Sequence, residues 1–538
     1  MSEIDDHPRT APLTPAPPDS GSGVQRLKPN AVGLIGVLFM AVATAAPITA
    51  MVGNVPIAVG SGNGAAAPAG YLIATIVLGL FAVGYAAMSK HITATGAFYG
   101  YISHGLGRVL GLSAGFLTVL AYVVFEAFLT VLAYVVFEAS LVGIFSFFSR
   151  DLFASLFNVH LPWLLFAVVM IVANAVLTYF DVNLAAKVLG GLLITEIVML
   201  TLMAGSVVVS GGGPEGWSLS SLNPINGLKG LDAVVPNVSG AGTMAVAGSA
   251  GIGLFFAFWS WVGFESSAMY GEESKNPKKI IPVAIMSSVL GIGAFYIVVS
   301  WLAIVGTGPS KSIALAQDTN TAGEIFFTPV REHLGGWAVT MFQILLTTGS
   351  YACGMAFHNC AARYIYALGR EDILPGTAKT IGRTHHIHGS PHFAGFVQTA
   401  ITLVIVLWFA VSGRDPYSGL YGLAALLGTS AILIVQAMAA FSVVSYFHVR
   451  KQHPETAHWF RTLVAPGLGG IGMLYVIYLL IKNASFAAGT AKDDIVFDSI
   501  PWVVGGTAIA GIVVALVLRA RSPQRYDRLG RVVLDEER

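Results

Sequence analysis

Two short stretches of this chain combine residue types that seldom share one apolar run. One is Ala43-Thr44-Ala45-Ala46-Pro47-Ile48-Thr49, a small-residue tract with a proline inside it. The other is Phe258-Trp259-Ser260-Trp261-Val262-Gly263-Phe264-Glu265, where a glycine and an acid sit among large aromatics. A proline removes one helical hydrogen bond and blocks another. A helix broken in this way exposes backbone N–H and C=O groups, which a bilayer tolerates only where they line a cavity. Such a cavity grips a polar solute with backbone groups. Taken alone, each stretch also reads as a packing kink, since proline and glycine are common in membrane helices.

Four acids lie in apolar surroundings: Glu126, Glu138, Glu196 and Glu265. An ionised group at the centre of a bilayer costs roughly 2.5–3.5 kcal/mol or more. Burial favours the neutral carboxyl, which suits reversible proton binding. Glu196 and Glu265 are therefore the candidate proton-coupling residues. The alternatives are a buried acid bonded to a neighbouring helix for Glu196, and a structural hydrogen bond across the break for Glu265. Other chemistry is sparse. The run Arg383-Thr384-His385-His386-Ile387-His388 lacks the Cys or carboxylate that would complete a metal site, and reads as a solvated loop. Cys353 and Cys360 lie about 10 Å apart along one expected helix, so they do not pair locally. Metalloprotease, hydrolase and phosphate-loop motifs are missing from the sequence. The expectation is a non-enzyme with no cofactor and no metal.

The elements that must position these residues follow from hydropathy. The 538 residues are 55% hydrophobic and 11% charged, with mean hydropathy +0.73; soluble domains carry about 25% charge. A net charge of +1 gives no sign of a nucleic-acid partner. A hydrocarbon core roughly 30 Å thick needs about 20 apolar residues per helix. Twelve runs meet this, numbered here as helices 1 to 12: 31–56, 69–89, 108–148, 161–180, 185–210, 246–271, 281–306, 337–368, 392–412, 418–448, 463–483 and 500–519. An all-α polytopic membrane protein is expected. With both termini inside, 22 of the 29 Lys and Arg residues fall on the inner side, which predicts cytoplasmic termini. Residues 1–30 lack the apolar region of a signal peptide and read as a disordered cytoplasmic tail.

Helix 3 carries an anomaly. Residues 116–127 read FLTVLAYVVFEA, and residues 128–139 repeat the same twelve letters. From Arg108 to Arg150 the run would make roughly 62 Å of helix, about twice the hydrocarbon thickness. Twelve residues also rotate a helix face by roughly 120°. The copies cannot present one face, and the sequence leaves open which is in the working position.

Three segments resemble the amino acid–polyamine–organocation permeases. From Gly251 the chain reads GIGLFFAFWSWVGFESSAMYGEESKNPKKIIPVAI, similar to that superfamily's helix 6 signature; Gly96–Gly115 (GAFYGYISHGLGRVLGLSAG) is similar to its approach to helix 3; and 358–375 (HNCAARYIYALGREDILP) to its helix 8 exit. The resemblance implies a five-plus-five inverted-repeat, LeuT-like core, with helices 1–5 in residues 31–210 and helices 6–10 in 246–448. An extracellular loop (211–245), accessory helices 11 and 12 (449–519) and a cytoplasmic tail (520–538) complete the plan. It implies a secondary transporter for an amino acid or amine in the cell membrane. Proton-coupled uptake is the favoured form; exchange and a non-transporting receptor are the alternatives. The substrate carboxylate would meet N–H groups at the helix 1 break and its amine the carbonyls of both breaks. Carried onto this chain, the binding residues are Thr44, Ala45, Ala46, Ile48 and Thr49, with Phe258, Trp259, Ser260, Val262 and Gly263. Trp259 matches a gate that stacks over substrate; Trp261 reads as packing. Glu272 and Glu273, followed by Lys275, Lys278 and Lys279, would form either an inner latch with the helix 8–9 loop or a plain loop.

Overall fold

The computed structural model describes residues 32–92, 97–106, 115–179, 182–238, 242–271, 273–318, 320–373, 375–385, 388–482 and 495–522. Helical segments occupy all twelve positions anticipated from hydropathy. Among the described residues, eight helices are long and apolar enough to cross a membrane, and the apolar helix Trp163–Tyr179 is shorter. The burial of these helices grades from centre to rim. In the helix 10 region, Gly419–Val449, 78% of the most apolar stretch is buried; in helix 12, Asp498–Arg521, only 22% is. Val172 on helix 4, Ile194 on helix 5, Val404 on helix 9 and Ile509 on helix 12 lie more than half exposed. Such a belt would be a sticky patch in water and matches lipid tails in a bilayer.

Helix 1 runs Leu34–Ala45, breaks, and restarts at Pro47, continuing as short α and π turns to Asn63, seven residues past its expected end. Helix 6 runs Ala250–Trp259 and resumes as the tight 3-10 helix Phe264–Tyr270. Around these lie helix 5 (Val182–Val209), helix 7 (Pro277–Thr307), helix 8 (Gly336–Arg370) and helix 9 (His392–Val411).

The helical fold carries a small hairpin: within the 211–245 loop and just beyond it, Asp232–Pro236 pairs antiparallel with Thr243–Ala247. Helix 3 extends over Gly115–Phe157, 43 residues and about 64 Å, because both apolar copies keep helical periodicity. The histidine-rich loop is not simply solvated. His385 is buried and its Nε2 lies 2.8 Å from the Tyr179 hydroxyl at the end of helix 4. His386 and Ile387 lie outside the described residues.

Candidate substrate site at the two helix breaks

The helix 1 break follows from its residues. Ala46 takes a left-handed conformation (φ 42°, ψ 77°), its N–H still bonded to Val42 O at 3.1 Å, and Pro47 opens the next segment without an N–H of its own. The freed groups each find a partner on a different helix. Thr44 O accepts from Cys353 Sγ of helix 8 (3.0 Å), and Ala45 O accepts from Tyr296 Oη of helix 7 (2.9 Å). Ile48 N–H donates to Glu196 Oε2 of helix 5 at 3.3 Å. That places a carboxylate on a backbone donor which the family resemblance assigns to substrate.

In helix 6, Gly263 makes the turn at φ 121°. A Cβ there would come within 2.5 Å of Thr44 Cγ2 and 2.9 Å of the Thr44 backbone, so the two breaks touch. Glu265 braces this turn. Its Oε2 accepts from Gly263 N–H at 3.0 Å and its Oε1 from Tyr134 Oη of helix 3 at 2.9 Å. This is the geometry of the structural alternative weighed for Glu265. Gly263→Ala is expected to cost about 1–3 kcal/mol through backbone strain, with a further loss from the clash, read as a fall in Tm of the purified protein.

Between the breaks lies a cavity of about 20 Å³, room for roughly one water. Thr44, Ala45, Ala46 and Thr49 line it from helix 1, and Trp259, Ser260 and Val262 from helix 6. Ile48, Phe258 and Gly263 stand behind that surface. Sequence reasoning missed Asn54, Leu141, Cys353, Phe357 and Tyr421, which also line it. Trp259 is gripped by Phe137 of helix 3 (centroids 4.3 Å apart) and Phe357 of helix 8 (5.9 Å, nearly parallel). Its Nε1–H donates to Tyr421 Oη at 3.3 Å; Tyr421 donates to Asn54, whose Nδ2 donates to Ser260 Oγ at 2.9 Å. This chain of hydrogen bonds ties helices 1, 6 and 10 together at the cavity wall. Trp261 is buried between Tyr71 and Tyr296, as packing requires.

Contacts close over the breaks on two sides. On one side Tyr417 stacks on Tyr421 (5.6 Å) and donates to Gly53 O at 2.9 Å. Beyond it opens a pocket of about 180 Å³ containing Glu324 and Arg331. On the other side Glu273 receives Arg363 Nη2 on both oxygens at 3.1 and 3.0 Å, and Arg363 lies over the Tyr270 ring. Glu273 thus pairs with helix 8 itself rather than with the 8–9 loop; Glu272 lies outside the described residues. Among the described residues no His, Cys, Asp and Glu cluster suits a metal ion.

In the pocket beside Tyr417, the bidentate hydrogen bond from Arg331 holds the Glu324 carboxyl below its usual range. A carboxyl lowered on folding adds stability above its unfolded range and loses it as pH falls through the folded one. The two side chains are 30% and 51% exposed, so the pair contributes less than about 1 kcal/mol. Tm differences between wild type and Glu324→Gln should be small at neutral pH and vanish in acid.

The comparisons with known proteins agree with this architecture. A match to the amino acid permease family spans residues 32–518. The methylthioribose transporter of Bacillus subtilis (strain 168) is 27% identical over 429 residues, covering 76% of this chain and 78% of its own. The branched-chain amino acid permease BcaP of the same organism is 22% identical over 425 residues, covering 77% and 79%. Among solved structures, a mutant manganese transporter of Eremococcus coleocola is similar with a TM-score of 0.53 at 12% identity, covering 92% of this chain and 95% of that one, a likeness of fold alone. Because the family match runs from the first described residue through helix 12, this chain belongs to the amino acid permease family, multi-pass membrane transporters of the amino acid–polyamine–organocation superfamily.

Proposed function

We propose that this protein carries an amino acid or a closely related amine across the cell membrane by alternating access, with uptake coupled to protons and both termini cytoplasmic. The substrate sits where Thr44, Ala45, Ala46, Ile48 and Thr49 meet Phe258, Trp259, Ser260, Val262 and Gly263. The cavity is too small for any amino acid as it stands, so binding requires the rings around Trp259 to part. The path is closed on both sides, by Tyr417 and by the Glu273–Arg363 pair; opening them in turn gives alternating access.

One observation carries the coupling: Ile48 N–H, a donor suited to a substrate carboxylate, is held by Glu196 at 3.3 Å. An ionised Glu196 competes for that donor and repels an incoming carboxylate. A proton on Glu196 removes the charge and releases the N–H, so proton and substrate bind together. The positive end of the restarted helix then faces the substrate anion. Glu265, with both oxygens engaged, is the second candidate proton site. Exchange of one substrate for another is the alternative reading, favoured by the tryptophan-gated helix 6 sequence WSWVGFES.

Proteoliposomes separate these. A pH gradient, acid outside, should drive uptake of a panel amino acid into vesicles containing no substrate, and Glu196→Gln should abolish that drive while substrate-induced thermal stabilisation persists. Uptake that needs internal substrate in wild type would establish exchange. Full pH-driven uptake by Glu196→Gln would remove Glu196 from the coupling.

A further inference from the structure

A buried polar cluster joins helices 3, 4, 8 and 9; its residues do not line the cavity and have no part in the mechanism above. Glu138 of helix 3 is fully buried. Its Oε1 accepts from Asn174 Nδ2 of helix 4 at 3.0 Å and lies 3.0 Å from His358 Nδ1 of helix 8. Its Oε2 accepts from Gln398 Nε2 (2.6 Å) and Thr402 Oγ1 (2.9 Å) of helix 9. Four neighbours directed at one carboxyl are an environment for the ionised form. With Nδ1 turned to that carboxylate, the other imidazole nitrogen, Nε2, is buried and has no hydrogen-bond partner among the described residues. Asn174 Oδ1, Gln398 Oε1 and Thr178 Oγ1, all acceptors, are likewise without partners there.

Two further facts give this cluster direction. The first is a connection to one face of the protein. Gly395 lets Thr178 and His358 Nε2 approach: a Cβ on it would lie 2.0 Å from Thr178 Cγ2 and 3.6 Å from His358 Nε2. The residue after Thr178 is Tyr179, whose ring packs within 6.2 Å of His385, His388 and His392 at the loop end of helices 4 and 9. The second is a connection to the gate. Glu138 directly follows Phe137, and His358 directly follows Phe357, the two rings that grip Trp259.

We propose that Glu138 and His358 form a second proton-binding site, fed from the cytoplasmic face through the His385–His392 cluster and Thr178, that tightens the grip on Trp259 when occupied. The proton adds to His358 Nε2. The imidazolium then attracts the Glu138 carboxylate, and Thr178, which packs on Gly395 as His358 Nε2 does, offers its unpartnered hydroxyl oxygen to the new N–H. Helices 3 and 8 are drawn together, closing Phe137 and Phe357 on the tryptophan. The titratable groups facing the pair among the described residues are these two alone; helices 4 and 9 present uncharged Asn174, Thr178, Gln398 and Thr402, with His385, His388 and His392 beyond. The assignment of the face rests on the orientation proposed above; the proton site itself does not depend on what is transported.

Cys353 lines the substrate cavity and is buried, so its alkylation by N-ethylmaleimide reports opening without a substrate. In full-length protein carrying Cys360→Ala, its labelling rate is compared with the same protein bearing His358→Gln or Glu138→Gln. Taking ratios at each pH cancels the thiol's own chemistry. As the pH is lowered from about 7.5 to about 5.5, the wild-type rate should fall at least about threefold relative to each variant. A flat ratio overturns the proposal, and so does a constant offset at every pH, the mark of a merely structural network. Should both variants fail to fold, Thr178→Val is compared in the same way; it should retard only the approach to the new labelling rate after a pH jump, and an unchanged approach overturns the route. Loss of pH-driven uptake in Glu196→Gln leaves all these readings intact, so the two proton sites stand or fall separately.

Discussion

Glu138→Ala should destabilise the protein by about 3–5 kcal/mol, because several buried polar groups lose their shared acceptor at once, whereas Glu126→Ala should cost less than about 1 kcal/mol. The contrast tests which copy of the helix 3 duplication is built into the core. From the second copy, Tyr134 bonds Glu265 and stacks on Tyr364, Phe137 packs on Trp259, and Glu138 joins helices 4, 8 and 9. Glu126 sits twelve residues earlier, about 18 Å along the helix and 120° around it, so it cannot reach His358. Its side chain lies outside those described. Removing Glu138 leaves His358, Asn174, Gln398 and Thr402 without their shared acceptor. Deleting either copy yields one and the same sequence. In that variant the remaining copy is joined directly to Ser140, so its acid and aromatics take the second register, and the fold should persist. Thermal unfolding of the three variants checks the assignment; equal losses for Glu126→Ala and Glu138→Ala would refute it.

Trp259→Ala should remove the closure of the binding cavity. Truncating a packed tryptophan costs about 3–5 kcal/mol of stability, and here it also empties the space between Phe137 and Phe357 and frees Tyr421 from its indole donor. A ring over a bound cation is worth about 0.5–2 kcal/mol, so substrate affinity should fall by roughly 2- to 30-fold while the protein still folds. Trp259→Phe keeps a ring but loses the N–H, and should fall between. The measurement is the thermal stabilisation given by a panel of amino acids and polyamines, titrated on each variant. Unchanged affinity in Trp259→Ala would assign Trp259 to packing alone.

Most of what the sequence revealed is local chemistry. Pro47 cannot continue a helix, and Gly263 accepts a positive φ; each announces its break wherever the chain places it. Apolar runs of about 20 residues announce helices because a bilayer fixes their length. Even the long helix 3 follows from periodicity shared by both copies. Bounds slip where that logic weakens: the turns after Pro47 carry helix 1 on to Asn63, and the loop before helix 6 contains a hairpin.

Partners across the fold were not legible in the same way. Glu196 and Ile48 are 148 residues apart, and Arg363 and Glu273 are 90 apart; no spacing rule joins them. Tyr421, Asn54 and Phe357 carry no motif of their own and became site residues only when helices 10, 1 and 8 met around Trp259.

The two broken helices, the membrane habit and the isolated acids were thus determined by the sequence itself, through backbone geometry and the cost of burying charge. Which acid meets which partner, and which of two identical copies of FLTVLAYVVFEA packs on Trp259, was decided only by tertiary packing. Identical letters carry identical propensities, and a helix fixes its face by what lies beside it. Glu126 and Glu138 are the same in sequence, and Asn174, His358, Gln398 and Thr402 meet at Glu138.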